Sequence, residues 1–236
     1  MNSGEQLTFE FFRTINSNFD FENFLVGSKN LEVFSVLKSW SSDSGSKIVY
    51  VWGESSVGKT HLLHSALKIV KERSIYIPLK EVKGLEPSSF NGLAEVGVLA
   101  LDDVDSISGK IDFEESLFNL FNSVVSNGAR LLLAAKDHPY RQGYALKDLM
   151  SRFNSHSVYK VWQLADHEKV QALGMIAARM GIKANDHVWA YLLRKSRRDM
   201  ASLVALLKSL DEYSLKHNRV LTVPFVREFF KSDGFN

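Results

Sequence analysis

One stretch constrains the fold more than any other: "GESSVGKT" (Gly53 to Thr60), set directly between "KIVYVW" and "HLLHSALKIVKER". Glycines at its first and sixth places leave the backbone free to curl its N–H groups inward around a phosphate. Lys59 then supplies a point charge for the β- and γ-phosphates, and Thr60 a hydroxyl for Mg²⁺. The preceding run is apolar and β-rich, which reads as a buried strand. The following run puts Leu62, Leu63, Ala66, Leu67 and Val70 on one stripe of a helix. A strand, a glycine loop and a helix whose N-terminus faces an anion are the context this motif needs. The alternative, a plain Gly/Ser-rich turn, lacks that context.

The pattern repeats along the chain. "SIYIPL" (Ser74 to Leu79) is a second strand, and "EVGVLALDDVD" (Glu95 to Asp105) contains a third. "DFEESLFNLFNSVVSNG" (Asp112 to Gly128) is helical, with Phe113, Leu117, Leu120, Phe121, Val124 and Val125 at helix spacing and Asn127–Gly128 as its stop. "ARLLLAA" (Ala129 to Ala135) and "SHSVYKVW" (Ser155 to Trp162) are the fourth and fifth strands, with a helical stretch around Leu146 to Phe153 between them. Strands apolar on both faces, alternating with helices, predict an α/β fold with a five-stranded parallel sheet. "SSDSGS" (Ser41 to Ser46) reads as a loop. From about Leu164 helical periods follow one another without strands: Asp166 to Met180, Asn185 to Lys195, Arg198 to Lys216 and Thr222 to Phe230. Gly181 stands where a helix-terminating glycine belongs, and Thr222 with Pro224 resembles a helix start. The division expected is a tail over 1–14, an α/β nucleotide-binding domain over 15–163 and an all-α lid over 164–236.

The third strand ends in acids. Asp102 and Asp103 fall at the sheet's C-terminal edge, beside the phosphate loop. Asp102 would hold Mg²⁺ through water, Asp103 could orient an attacking water, and Asp105 belongs to the turn. The alternative for these acids is a turn or helix cap. The 236 residues carry 29 basic and 27 acidic side chains, a balance that makes no case for tight non-specific DNA binding. Without cysteine there are no disulfides or thiolate metal sites. No apolar run approaches the ~18 residues of a membrane span, and the first residues lack the basic start of a secretory signal. Yet Leu7, Phe9, Phe11 and Phe12 crowd the beginning of the chain. Taken alone they are either a strand of the core or a hook for a partner.

Three stretches carry a resemblance: "FDFENFLVGSKN" (Phe19 to Asn30), "VWGESSVGKTHLLHSA" and "LALDDVD", in that order, closely resemble the AAA+ module of the bacterial initiator DnaA. "LMSRFNSHSVYKV" and "RRDMASLVALLKSLDEYSL" extend it over nearly the whole chain. Only about 18 residues precede the nucleotide module and the lid ends the sequence, with no counterpart of DnaA's N-terminal or DNA-reading domains. In this, and in "YIPLK" and "LTVPFVREFF", the chain resembles the stand-alone branch of the family, the regulatory inactivator of DnaA (Hda).

The resemblance implies a set of roles. Phe24, Leu25 and Val26 pack against adenine. Gly53, Glu54, Ser55, Ser56, Val57, Gly58, Lys59, Thr60 and His61 surround the phosphates of ADP or ATP, with ADP as the resident. Thr60 and Asp102 serve Mg²⁺. Arg198 is a second sensor reaching the phosphates, its alternative a salt bridge to an acid. Arg152 in "SRF" is an arginine finger that faces the nucleotide of a neighbouring molecule, and pairing with Asp148 one turn earlier is compatible with that. The first-sensor position falls on Lys136, a departure, since a charged ammonium accepts no proton from water; the chain's own hydrolysis is expected to be weak or absent. Gln6, Leu7, Phe9 and Phe11 match the branch's peptide for the DNA polymerase III sliding clamp, with Phe9 where leucine is usual. The implied function is negative regulation of replication initiation: tethered to the clamp on DNA, the protein promotes hydrolysis of ATP bound to DnaA in the bacterial cytoplasm. The alternative is an initiator or helicase loader driven by its own ATP hydrolysis.

Overall fold

The computed structural model describes residues 18–40 and 46–232, which fall into two compact units. The first comprises 18–21 with 28–162. The second comprises 163–232 and takes with it the short stretch Glu22–Gly27.

The first unit is a five-stranded sheet: β1 (Ile48–Trp52), β2 (Ser74–Pro78), β3 (Val98–Asp102), β4 (Arg130–Ala135) and β5 (Ser157–Lys160). Every pairing is parallel and the order is β2-β3-β4-β1-β5. The strands are apolar on both faces because both are covered. Ile48, Tyr50, Leu99, Leu101, Leu131 and Leu133 belong to a core shared with α3 (Ile111–Asn127) and α4 (Lys147–Asn154). Val49, Val51, Ala100, Leu132 and Ala134 alternate with them and are equally buried; on that side α2 (Lys59–Lys68) packs against β3 and β4, and α1 (Leu31–Lys38) against α2.

The helix periods hold with two adjustments. α2 stops at Lys68, short of Val70, and Leu62 to Leu67 are all buried, His64 and Ser65 included, so it is a core helix with no exposed face over that stretch. In α3 the buried seam is Leu117, Leu120, Phe121 and Val124, while Val125 is 50% exposed because the seam narrows in the last turn. Gly128 (φ 65°) ends α3 as expected, with the Ala129 N–H returning to the Val124 carbonyl at 3.0 Å.

The second unit packs α5 (Asp166–Arg179), α6 (Asp186–Lys195), α7 (Met200–His217) and α8 (Val223–Ser232) around Leu173, Trp189, Leu192, Leu207, Phe225 and Phe229. Gly181 (φ 76°) closes α5, and Ile182 N–H bonds the Ala177 carbonyl at 2.9 Å. Thr222 opens α8, its carbonyl accepting from Val226 N–H at 2.9 Å. The third helix starts two residues later than Arg198. Asp199 is its N-cap, Oδ1 accepting from Ser202 N–H at 2.9 Å, a task no arginine can perform. Among the described residues no helix is long and apolar enough to cross a membrane.

Candidate functional site

The strand order assembles the site. Because β4 lies between β1 and β3, the loop after β1, Lys136 after β4 and the acids ending β3 share one edge of the sheet. The loop leaves β1 at Gly53, whose N–H bonds the Ala135 carbonyl at 3.2 Å. A Cβ on Gly53 would stand 2.3 Å from the Val161 carbonyl oxygen, so no other residue fits this crossing. Ser56 (φ 63°) and Gly58 (φ 100°) hold left-handed backbone, and Gly58 caps α2 with no side-chain acceptor. The orphan N–H groups at that helix start are therefore free for an anion.

Lys59 folds back over the loop. Its ammonium donates to the Gly53 and Glu54 carbonyls at 2.6 and 2.9 Å, and burial lowers its pKa against the opposing pull of Asp102, Asp103 and Asp105. Neutral carbonyls are weaker acceptors than a phosphate oxygen, so an arriving phosphate competes well for this charge.

Asp102 is 3% exposed and held by three donors. Its Oδ2 accepts from the Thr60 hydroxyl at 2.6 Å and the Tyr76 hydroxyl at 2.9 Å, and its Oδ1 from the Asp103 N–H at 2.9 Å. A carboxylate fixed in this way, touching the Thr60 oxygen, fits a magnesium ion held at one remove through water. Among the described residues no three His, Asp or Glu side chains gather as cation ligands, so an ion held here would need further oxygens from phosphate and water. Asp103 (φ 53°) has its carboxyl pushed up by burial first, then by the charges of Asp102 and Asp105. Asp105 does sit in the turn Val104–Ile107, and it also receives Lys136: the backbone N–H at 3.1 Å and the ammonium at 3.6 Å. The Lys136 cation after β4 is thus tied to an acid.

A family model for the bacterial DnaA ATPase domain matches residues 15–159, and one for the Hda lid domain matches 166–230. The chain belongs to the DnaA-related AAA+ family. An uncharacterized Haemophilus influenzae protein is 33% identical over 211 residues, covering 88% of this chain and 91% of its own length. Domain III of the Thermotoga maritima initiator DnaA superposes with a TM-score of 0.80 at 20% identity, covering 93% of this chain and 98% of that one. DnaA from Aquifex aeolicus bound to AMPPCP superposes with a TM-score of 0.68 at 24% identity, covering 83% and 67%.

Within this DnaA-related frame the remaining candidates can be placed. Arg152 is exposed in the last turn of α4, its guanidinium 5.9 Å from the Phe118 ring centre. No ion pair joins it to any described residue, so the pairing with Asp148 is not formed. Arg198 belongs to the helical unit and pairs with Asp166 at 3.2 Å, while Arg197, 88% exposed, lies 3.8 Å from Asp199. Phe24, Leu25 and Val26 are half-buried and travel with the helical unit. There Gly27 is packed so closely that a Cβ would stand 2.7 Å from Leu164. His61 points its Nε2 at the backbone of Asp20, 2.9 Å from the carbonyl, and stacks on Phe19 at 4.7 Å. Glu54 and Ser55 are exposed, Ser56 is half-buried and Val57 is buried. Gln6, Leu7, Phe9 and Phe11 lie outside the described residues.

Sequence reasoning missed three supports of this site. Tyr76 holds Asp102 from the neighbouring strand; its only signal was the alternation of β2, which turns it away from Ile75 and Ile77. Asn30, 1% exposed, clamps the Trp162 backbone with both ends of its amide, accepting at 2.8 Å and donating at 2.9 Å. Glu114, fully buried in α3, accepts three backbone N–H bonds. Neither of the last two left a local mark in the sequence.

Proposed function

We propose that this chain is a nucleotide-bound regulator that promotes hydrolysis of the ATP carried by DnaA, working from the sliding clamp on DNA. The observation that carries the reading is Arg152: an exposed guanidinium at the end of a short helix, with no acid among the described residues to engage it. A free guanidinium presented to a partner can stabilise the charge that develops on a transferring phosphoryl group. The match of the lid to the Hda lid domain supports the assignment to the inactivating branch. Nucleotide occupancy is supported by the loop and its acids, and by a DnaA relative that binds AMPPCP. In this proposal Lys59 and the loop amides hold the phosphates, Thr60 and Asp102 serve magnesium, and ADP is the resident nucleotide. Phe24, Leu25 and Val26 serve the base and Arg198 the phosphates. Gln6, Leu7, Phe9 and Phe11 enter the clamp's groove as alternating anchors of an extended peptide. Tethering raises the local concentration near active DNA without new contacts to DnaA.

The test combines purified protein, clamp-loaded DNA and ATP-loaded DnaA, and follows conversion to DnaA–ADP. Arg152→Ala should lower the stimulated rate by on the order of a thousandfold while nucleotide and clamp binding persist. Full activity of that variant would sink the finger assignment. A second reading, turnover by the chain itself, is favoured by the intact acid pair Asp102–Asp103 and opposed by Lys136. Substantial ATP hydrolysis in the absence of DnaA would decide for it.

A further inference from the structure

Glu114 is a carboxylate with no exposed surface, and among the described residues no cation is paired with it. Burying such a charge is costly unless donors replace its water. Here the donors are all backbone. Oε1 accepts from Gly109 N–H at 2.6 Å and Ala145 N–H at 3.1 Å, and Oε2 from Leu146 N–H at 2.7 Å. Ala145 and Leu146 are the two residues that lead into α4, and Leu146 occupies its N-cap without any side-chain acceptor. A helix start has orphan N–H groups and a positive dipole end. Glu114, from a different helix, accepts from the N-cap Leu146 N–H and from Ala145 just before it, and sets a carboxylate at the positive end of the dipole.

The consequence reaches the other end of α4, which has only eight residues. Leu149 and Phe153 are buried in the core beneath the sheet and set which way the helix faces. Apolar burial is non-directional; the bonds from Ala145 and Leu146 N–H to Glu114, at 3.1 and 2.7 Å, are directional and tie down the helix start. One turn along α3 from Glu114, the Phe118 ring lies near the Arg152 guanidinium. The same face of α3 therefore bonds the residues that lead into α4 and brings the Phe118 ring to 5.9 Å from the guanidinium in its last turn. We propose that Glu114 is a positioning residue for Arg152, setting the guanidinium's place by capping α4 from α3. The proposal rests on the trans-hydrolysis reading of Arg152.

The test uses the full chain with Glu114→Gln, whose amide presents N–H where a carboxylate oxygen accepted. The amide keeps one acceptor oxygen, so hydrogen exchange followed by NMR should show either Leu146 or the pair Gly109 and Ala145 losing protection, whichever faces the new N–H. In the DnaA assay the rate at saturating regulator should fall tenfold to a hundredfold, as expected for an ångström-scale misplacement of a catalytic group. The half-saturating concentration and the affinity for ADP should not move. Glu114→Asp keeps the charge but is one methylene short, so both the exchange and the maximal rate should fall between wild type and Gln; it carries the test if the Gln variant fails to fold. An unchanged maximal rate with Ala145 or Leu146 deprotected would overturn the proposal, as would a loss confined to the half-saturating concentration. Should Arg152→Ala itself stay fully active, the trans-hydrolysis reading falls and this proposal with it. A loss with Arg152→Ala but none with either Glu114 variant overturns the positioning role alone.

Discussion

Asp103 shows how much a single residue of this site is shaped by its surroundings. Burial and the neighbouring charges of Asp102 and Asp105 raise its carboxyl above the ordinary value, so the folded state holds its proton more tightly than the unfolded chain does. Its charge therefore costs stability. That cost is absent below about pH 4, where both states are protonated, and develops as the pH rises through the folded value. Asp103→Asn also tolerates the left-handed backbone. It should melt above wild type at pH 7 and converge with it near pH 3, as read by thermal denaturation across pH. Gly53→Ala should lose about 2 kcal/mol in urea denaturation, since its Cβ would meet the Val161 carbonyl. The residue types here were legible because phosphate chemistry demands them at fixed spacing. Their partners were not: Thr60 and Asp102 stand 42 positions apart, and nothing near either one names the other.

Helices and strands were readable where their signals are local. Gly128 and Gly181 end α3 and α5 through positive φ that the sequence supplies on the spot. The expected start of α7 at Arg198 gives way to a start at Met200, because the cap is Asp199, the acid one place beyond the arginine. Asp199 is held below the ordinary carboxylate range, chiefly by the Ser202 N–H. Its contribution is therefore present above about pH 4 and disappears as the pH falls through the depressed value. Asp199→Ala should cost about 1 kcal/mol of stability at pH 7 and less in strong acid, measured by chemical denaturation at the two pH values.

For the whole molecule, the proposed nucleotide binding would be linked to stability. A ligand that binds only the folded protein stabilises it by about 2.7 kcal/mol at a hundredfold excess over Kd. ADP with magnesium should raise the melting temperature, and Lys59→Ala should abolish most of that rise while leaving the unliganded protein close to wild type. A clamp pull-down comparing wild type with Gln6→Ala/Phe11→Ala tests the N-terminal peptide. Loss of capture with the ADP-induced shift intact is the expected result, and undiminished capture would remove the peptide from the proposal.

By itself the sequence determined what depends on neighbours along the chain: the phosphate loop between strand and helix, the apolar strands of a parallel sheet, the acids that end β3, and the switch to helices after Leu164. Tertiary structure decided what depends on strand order. It put β4 between β1 and β3, and so set Lys136 against Asp105 at the shared edge. It brought Tyr76 to Asp102, Asn30 to Trp162 across 132 positions, and Glu114 to the start of α4. Periodicity tells which face of an element is buried; it does not tell which element covers that face. Hydrogen bonds between distant residues are specified only once the elements have been ordered and packed.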